Sequence, residues 1–296
     1  MLNPSHLGRR RFLRYLAASP LLAQEAVAKT LEAAAQRGQW ALVSEGMKAP
    51  QTGLSEGPPP WKIDSPEEAR SVFDFEIVSA GTIPPAHFGY LQTGVDGETT
   101  LRANREAFDD LYLNPRVLSG TTDVDMGVEL FGQRWDTPII LAPVGSQRAF
   151  HGQGELATVR AASQRGHLPI LSTVSTTSIE DVVEAYGAPI WYQLYPTSSW
   201  GLTEGLMSRV EAAGCPVVVL TVDSLAGEGI KETQIRAESL DSRNCTVCHP
   251  SPASYLSRKP MFRGLNVGSA DPDMGWGANL DWEFVRNLKA STPMKQ

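Results

Sequence analysis

The most specific chemical spacing in the chain is Cys245-Thr246-Val247-Cys248-His249. Two thiols two residues apart, followed at once by a histidine, form the pattern that attaches a c-type haem. The thiols bond the vinyl groups and the imidazole ligates the iron. Met261 or Met274 could then be a second axial ligand. The same thiols could serve a zinc site, although no fourth ligand is visible nearby, or simply a loop with structural or redox thiols. A second set of residues stands at the ends of short apolar runs: Pro143-Val144-Gly145, Ser172, Gln193 with Tyr195, and Thr221 with Asp223. Hydroxyl, amide and carboxylate groups collected at strand ends can hold a ligand. Each also has a plainer use, because Ser and Thr cap helices there, Asp closes turns, and a Tyr in W-Y-Q-L-Y packs in a core. The chain has no Walker loop, no H-E-x-x-H and no G-x-G-x-x-G after a strand.

The elements that position these residues alternate from residue 137 onward. Thr137–Val144, Leu168–Thr173, Pro189–Tyr195 and Pro216–Asp223 read as strands. Helices are expected at Glu155–Gln164, Ser178–Tyr186 and Trp200–Ala213, stopped by Gly166, Gly187 and Gly214. Ser178, with Asp181 three residues on, reads as a helix cap. The run V-V-V-L-T-V at 217–222 is so apolar that both faces must be covered, as in a parallel sheet with helices outside. Residues 224–279 read as a long polar insertion. Leu280–Ala290 resumes as a helix, and Ser291-Thr292-Pro293 as a turn into a further strand. Upstream, helices are expected over 65–76, capped by Ser65, and over 97–109. The strand repeat of roughly 26 residues suits βαβ units, and eight such units plus the insertion would need about 400 residues.

Composition narrows the class. The 296 residues carry 26 basic and 33 acidic side chains, a net charge of −7, which argues against a nucleic-acid partner. Three cysteines give no disulfide framework. No apolar run reaches the ~18 residues of a membrane span. Residues 8–14, G-R-R-R-F-L-R, then a short apolar stretch, resemble a twin-arginine export signal, with Arg9, Arg10, Phe12, Leu13 and Arg14 in the matching positions. A solvated basic helix is the plainer reading. The expected organisation is a signal at 1–23, a helix and Pro/Gly linker at 24–61, and a main domain at 62–296.

Seven segments together resemble the FMN-dependent α-hydroxy-acid oxidases and dehydrogenases, the glycolate oxidase and lactate oxidase family. They are G-Y-L-Q-T-G (89–94), T-L-R-A-N-R-E-A-F (100–108), P-I-I-L-A-P-V-G (138–145), H-G-Q-G-E (151–155), L-S-T-V-S-T-T-S (171–178), W-Y-Q-L-Y (191–195) and L-T-V-D (220–223). The resemblance implies an α/β fold of the TIM (β/α)8-barrel family. Only about the first four β/α units are present, after an N-terminal helical extension. It implies FMN as cofactor, held by Pro143, Val144, Gly145, Ser172, Gln193 and Thr221. It places the substrate between Tyr90 and Tyr195, and makes Asp223 the aspartate that pairs with the catalytic histidine. The implied reaction oxidises a small L-2-hydroxy acid to the 2-oxo acid, with oxygen or a respiratory carrier as electron acceptor. A completed barrel would be expected to form a homo-oligomer.

The resemblance also marks absences. The family's base histidine, its carboxylate-gripping arginine, a flavin-neutralising lysine and the barrel's phosphate grip would all lie after residue 296. None of His6, His87, His151, His167 and His249 stands in the histidine motif. After L-T-V-D the family carries arginines, where this chain reads S-L-A-G-E-G-I-K-E-T with only Lys231. A half barrel that cannot turn over by itself is therefore expected, with unpaired edges near Ile140 and Val218 that invite self-association.

Overall fold

The computed structural model describes residues 63–223, 229–243, 252–267 and 280–295, all within the unit Pro60–Gln296. The arginine-rich segment at 8–14 and Cys245–His249 lie outside the described residues.

The arm before the sheet is helical. Helices α1 (Asp74–Thr82), α2 (Pro85–Gln92) and α3 (Thr99–Glu106) lead to a hairpin of β1 (Val128–Leu130) and β2 (Gln133–Trp135). The helix expected over 65–76 is instead a single turn at Pro66–Glu68, then α1. Ser65 makes no capping bond. Asp74 starts the helix by accepting from the Arg70 and Ser71 N–H groups at 2.7 and 2.8 Å.

The alternating pattern then forms as read. Strand β3 is Ile140–Leu141, followed by α4 (Glu155–Arg165), β4 (Leu168–Ser172), α5 (Ile179–Tyr186), β5 (Trp191–Leu194), α6 (Trp200–Ala212) and β6 (Val218–Leu220). The four strands are parallel and adjacent in chain order, β3-β4-β5-β6. Past α7 (Glu232–Ser239), α8 (Pro252–Ser257) and α9 (Trp282–Ser291), Lys295 pairs in parallel with Val217. The edge expected to be open near Val218 is thus occupied there, since Val218 N–H donates to Lys295 O at 2.8 Å.

The core lies between the sheet and its helices. Leu171, Tyr192, Leu194 and Val218 from the strands, with Ile190 just before β5, meet Val182, Leu206, Val210 and Leu288 from the helices, all buried. Each such side chain contributes about 1.5–3 kcal/mol by leaving water. Segment 224–279 is not simply a polar insertion. Leu256, Met261 and Phe262 enter this core at 2%, 0% and 1% exposure. The Arg209 guanidinium of α6 holds them by donating to the carbonyls of Pro260 and Met261, while its other face pairs with Glu180 of α5. At the opposite end of the sheet the hairpin packs Leu130 and Trp135 on Leu168, Trp191 and Val217.

Helix α5 begins as its sequence demands. Ser178 Oγ accepts from the Asp181 N–H and donates to the Asp181 carboxylate at 2.6 Å, and Gly187 closes the helix at φ 85°. Ser178→Ala should lower unfolding free energy by about 1 kcal/mol, the usual worth of an N-cap, measured by equilibrium urea denaturation.

Candidate active site

The polar ends of β4, β5 and β6 form one cross-linked row. Register sets Ser172 beside Gln193 and Leu194 beside Leu220. Thr173 Oγ1 donates to Gln193 O at 2.6 Å and accepts from Tyr195 N–H at 2.8 Å. The Gln193 amide donates to Thr221 Oγ1 at 2.6 Å, and Thr221 N–H donates to Leu194 O. Ser172 and Gln193 are nearly buried, at 2% and 3% exposure. Ser172 Oγ accepts from Val174 N–H, so its own proton is free to donate. Gln193 keeps a second N–H and a carbonyl oxygen. Amide, hydroxyl and backbone groups in this order suit the polar edge of a flat heteroaromatic ring.

The loop after β3 closes one side of the row. At Gly145 a Cβ would lie 2.5 Å from Val174 Cγ2, so a side chain there would have to displace that methyl where this loop meets the turn after β4. Pro143 is half-buried and Val144 is exposed at 42%. Glu155, at the first position of α4, stitches both loops together. Its carboxylate accepts from Gln147 N–H, Thr176 N–H and the Thr176 and Thr177 hydroxyls, at 3.3, 2.7, 2.6 and 2.9 Å.

Tyr195 follows β5 and draws the other predicted residues around it. Burial, then the neighbouring Tyr90, Asp223 and Tyr255, push its hydroxyl above the ordinary tyrosine value. The phenol therefore stays protonated and able to donate. Tyr90 comes from α2 and is half-exposed, stacked on Phe150 at 6.4 Å. Helix α2 is seated by contacts from both sides. His87 Nδ1 lies 2.6 Å from Ala149 O. On the other side, Gly89 lies against Ala237 of α7, and Ala86 N–H donates to Asp241. Asp96 exchanges two backbone-directed bonds with Ile230, and Thr233 donates to Glu98.

Three residues of the mouth carried no expectation. Ser146 Oγ lies 3.2 Å from Tyr255 Oη and accepts from the ammonium of Lys259, which sits 4.4 Å above the Tyr255 ring. The i, i+4 spacing of Tyr255 and Lys259 was the one local hint. Of the described histidines, His87 is engaged with Ala149 and His151 Nδ1 accepts from Gln153 N–H. His167 stands at the start of β4, away from the polar row.

A family model for FMN-dependent dehydrogenases matches residues 79–296. An L-lactate oxidase of Lysinibacillus sphaericus (strain C3-41) is 42% identical over 227 residues, 74% of this chain and 57% of that protein. The glycolate oxidase of Spinacia oleracea is 30% identical over 223 residues, 75% of this chain and 57% of its own. The crystal structure of a lactate oxidase from Pediococcus acidilactici superposes with a TM-score of 0.65 at 29% identity, covering 79% of this chain and 59% of that one. A mandelate oxidase superposes with a TM-score of 0.61 at 30% identity, covering 76% and 60%. The chain thus spans under two thirds of the length of these relatives.

Proposed function

The chain belongs to the FMN-dependent dehydrogenase family, and from that premise we propose that it provides the flavin-ring contacts and substrate tyrosines for oxidation of a small L-2-hydroxy acid. The observation that carries this reading is the row Ser172–Gln193–Thr221 with Tyr195, Tyr90 and Asp223 grouped beside it.

The residues fit the cofactor. A flavin's polar edge alternates acceptors with one N–H, and the row offers a hydroxyl proton, an amide N–H and an amide oxygen. FMN, when bound, supplies a two-electron acceptor for the hydride of the substrate α-carbon. Ser172, Gln193 and Thr221 would orient it, with Pro143, Val144 and Gly145 backing its face. The Tyr90 and Tyr195 hydroxyls would donate to the substrate's carboxylate and hydroxyl oxygens respectively. Burial of the row excludes water, which strengthens each of these bonds. Asp223 would accept an N–H from the protonated base. That base and the carboxylate-gripping arginine have no counterpart among the described residues.

Two results are expected. The purified chain should quench FMN fluorescence saturably. Gln193→Leu should weaken that binding about tenfold, because it removes one buried polar contact and orphans the Thr221 hydroxyl. An FMN affinity indifferent to residue 193 would overturn the ring assignment. Lactate or glycolate added anaerobically should leave the bound flavin yellow, since no base histidine stands at the site among the described residues; bleaching would overturn that reading.

A further inference from the structure

We propose that Lys259, with the hydroxyls of Ser146 and Tyr255, forms an anion-binding point at this mouth that takes the carboxylate of the substrate. The proposal deepens the hydroxy-acid reading and rests on it for the identity of the anion.

Three observations converge. First, Lys259 is 7% exposed, yet among the described residues its ammonium has one hydrogen-bond acceptor, the Ser146 hydroxyl. An ammonium carries three donors. Its remaining electrostatic partners are the Tyr255 ring face and, beyond ion-pair distance, Glu155. Glu155 is already occupied by four bonds from the loops after β3 and β4. A buried cation with open donors is costly unless an anion completes it.

Second, the position is right. Ser146 directly follows Gly145, and φ 55° holds it in the left-handed region, uncommon for a serine. Its N–H is tied to Val174 O. Through Ser146 and Tyr255 the cation adjoins the loop after β3, and the Tyr255 hydroxyl acts electrostatically on Tyr195.

Third, the cation's carrier is fixed. Residues 255–262 are anchored through Leu256, Met261 and Phe262 in the core and through Arg209. A preorganised ammonium loses little on binding. The chain as a whole is acidic at −7, so an anionic substrate needs a local positive point. The segment after L-T-V-D offers only Lys231 in its first ten residues, and Lys259 supplies a cation later in the same stretch. The titratable groups around Lys259 are Glu155 from α4 and Tyr255 from α8, with Tyr195 and Asp223 beyond Tyr255.

The test uses oxalate, a small redox-inert carboxylate, titrated calorimetrically into wild type, K259M and K259R at neutral pH, with and without FMN. Wild type should bind. K259M should bind about tenfold more weakly or worse, and K259R within about threefold, as expected when a charge-assisted hydrogen bond is lost or kept. In reductively ¹³C-methylated protein, the resonance missing from K259M should titrate near 8, since burial lowers it, and should move when oxalate is added. K259M and K259R with wild-type circular dichroism and unchanged oxalate affinity would overturn the proposal. If FMN does not bind while residue 259 still governs oxalate, the anion point stands and the flavin reading falls. If FMN binds and oxalate ignores residue 259, the anion point alone falls.

Discussion

Glu155→Ala should destabilise the domain by about 3–5 kcal/mol, the range for breaking a buried, fully bonded charge. Glu155 is 1% exposed and accepts four hydrogen bonds. Alanine would leave two backbone N–H groups and two hydroxyls facing a void, at about 1–3 kcal/mol for each donor left unsatisfied. Relaxation and entering water would recover part of that. The buried ammonium of Lys259 would also lose its nearest compensating charge. Glu155→Gln should cost less: its oxygen can still accept the two backbone N–H bonds while its amide protons donate to the Thr176 and Thr177 hydroxyl oxygens, so the main loss is the negative charge near Lys259. Urea denaturation followed by tryptophan fluorescence measures both. The loss should carry a functional signature, because the two loops stitched by Glu155 hold Gly145 and the turn after Ser172. FMN affinity should therefore fall even where the variant remains folded. A Glu155→Ala protein with wild-type stability would show that the loops are held by other contacts.

Gly89→Val should cost about 2–3 kcal/mol, the scale of overpacking at a tight interface. A Cβ at residue 89 would meet Ala237 Cβ at 2.3 Å and the Gln234 Cα at 3.3 Å. The second is backbone and cannot swing away. Helix α2 must therefore separate from α7, and Tyr90, the next residue, moves with it. Gly81→Ala is the control. It lies in α1 with nothing within 4 Å of its added Cβ, and alanine's better helix propensity should leave stability unchanged or raise it by up to ~1 kcal/mol. If Gly89→Val and Gly81→Ala behave alike, the close approach of α2 and α7 is not what seats Tyr90.

What could be read from the residues alone follows local physics. The four strands and helices α4, α5, α6 and α9 each announce themselves through apolar runs, caps and glycine stops, and they form within a few residues of the expected bounds. The row Ser172, Gln193, Thr221 was legible for the same reason, since strand ends in a parallel sheet fall on one side. Helix α2 was not. Pro-Ala-His-Phe-Gly-Tyr-Leu-Gln has poor internal propensity, and its stability comes from Phe150 on one side and Ala237 on the other. No local pattern predicts that a glycine will meet an alanine about 150 residues away. Lys259 was missed likewise, because its partner Ser146 is 113 residues distant. The segment carrying it looked polar because its three core residues are scattered among charged neighbours.

The strand order has a consequence for how the chain is made. Because β3, β4, β5 and β6 are neighbours in the order of synthesis, each strand leaving the ribosome finds its partner already complete. Sheet assembly can keep pace with translation, through short and rapidly closed loops. Helix α2 cannot follow that schedule. One side of its seat is α7 and Asp241, so Tyr90 is not fully seated until residue 241 has been made. A part of the mouth encoded near its beginning therefore settles late. A protease added during synthesis should cut around residues 80–95 long after the segment has left the ribosome, and stop cutting only once the α7 segment has emerged.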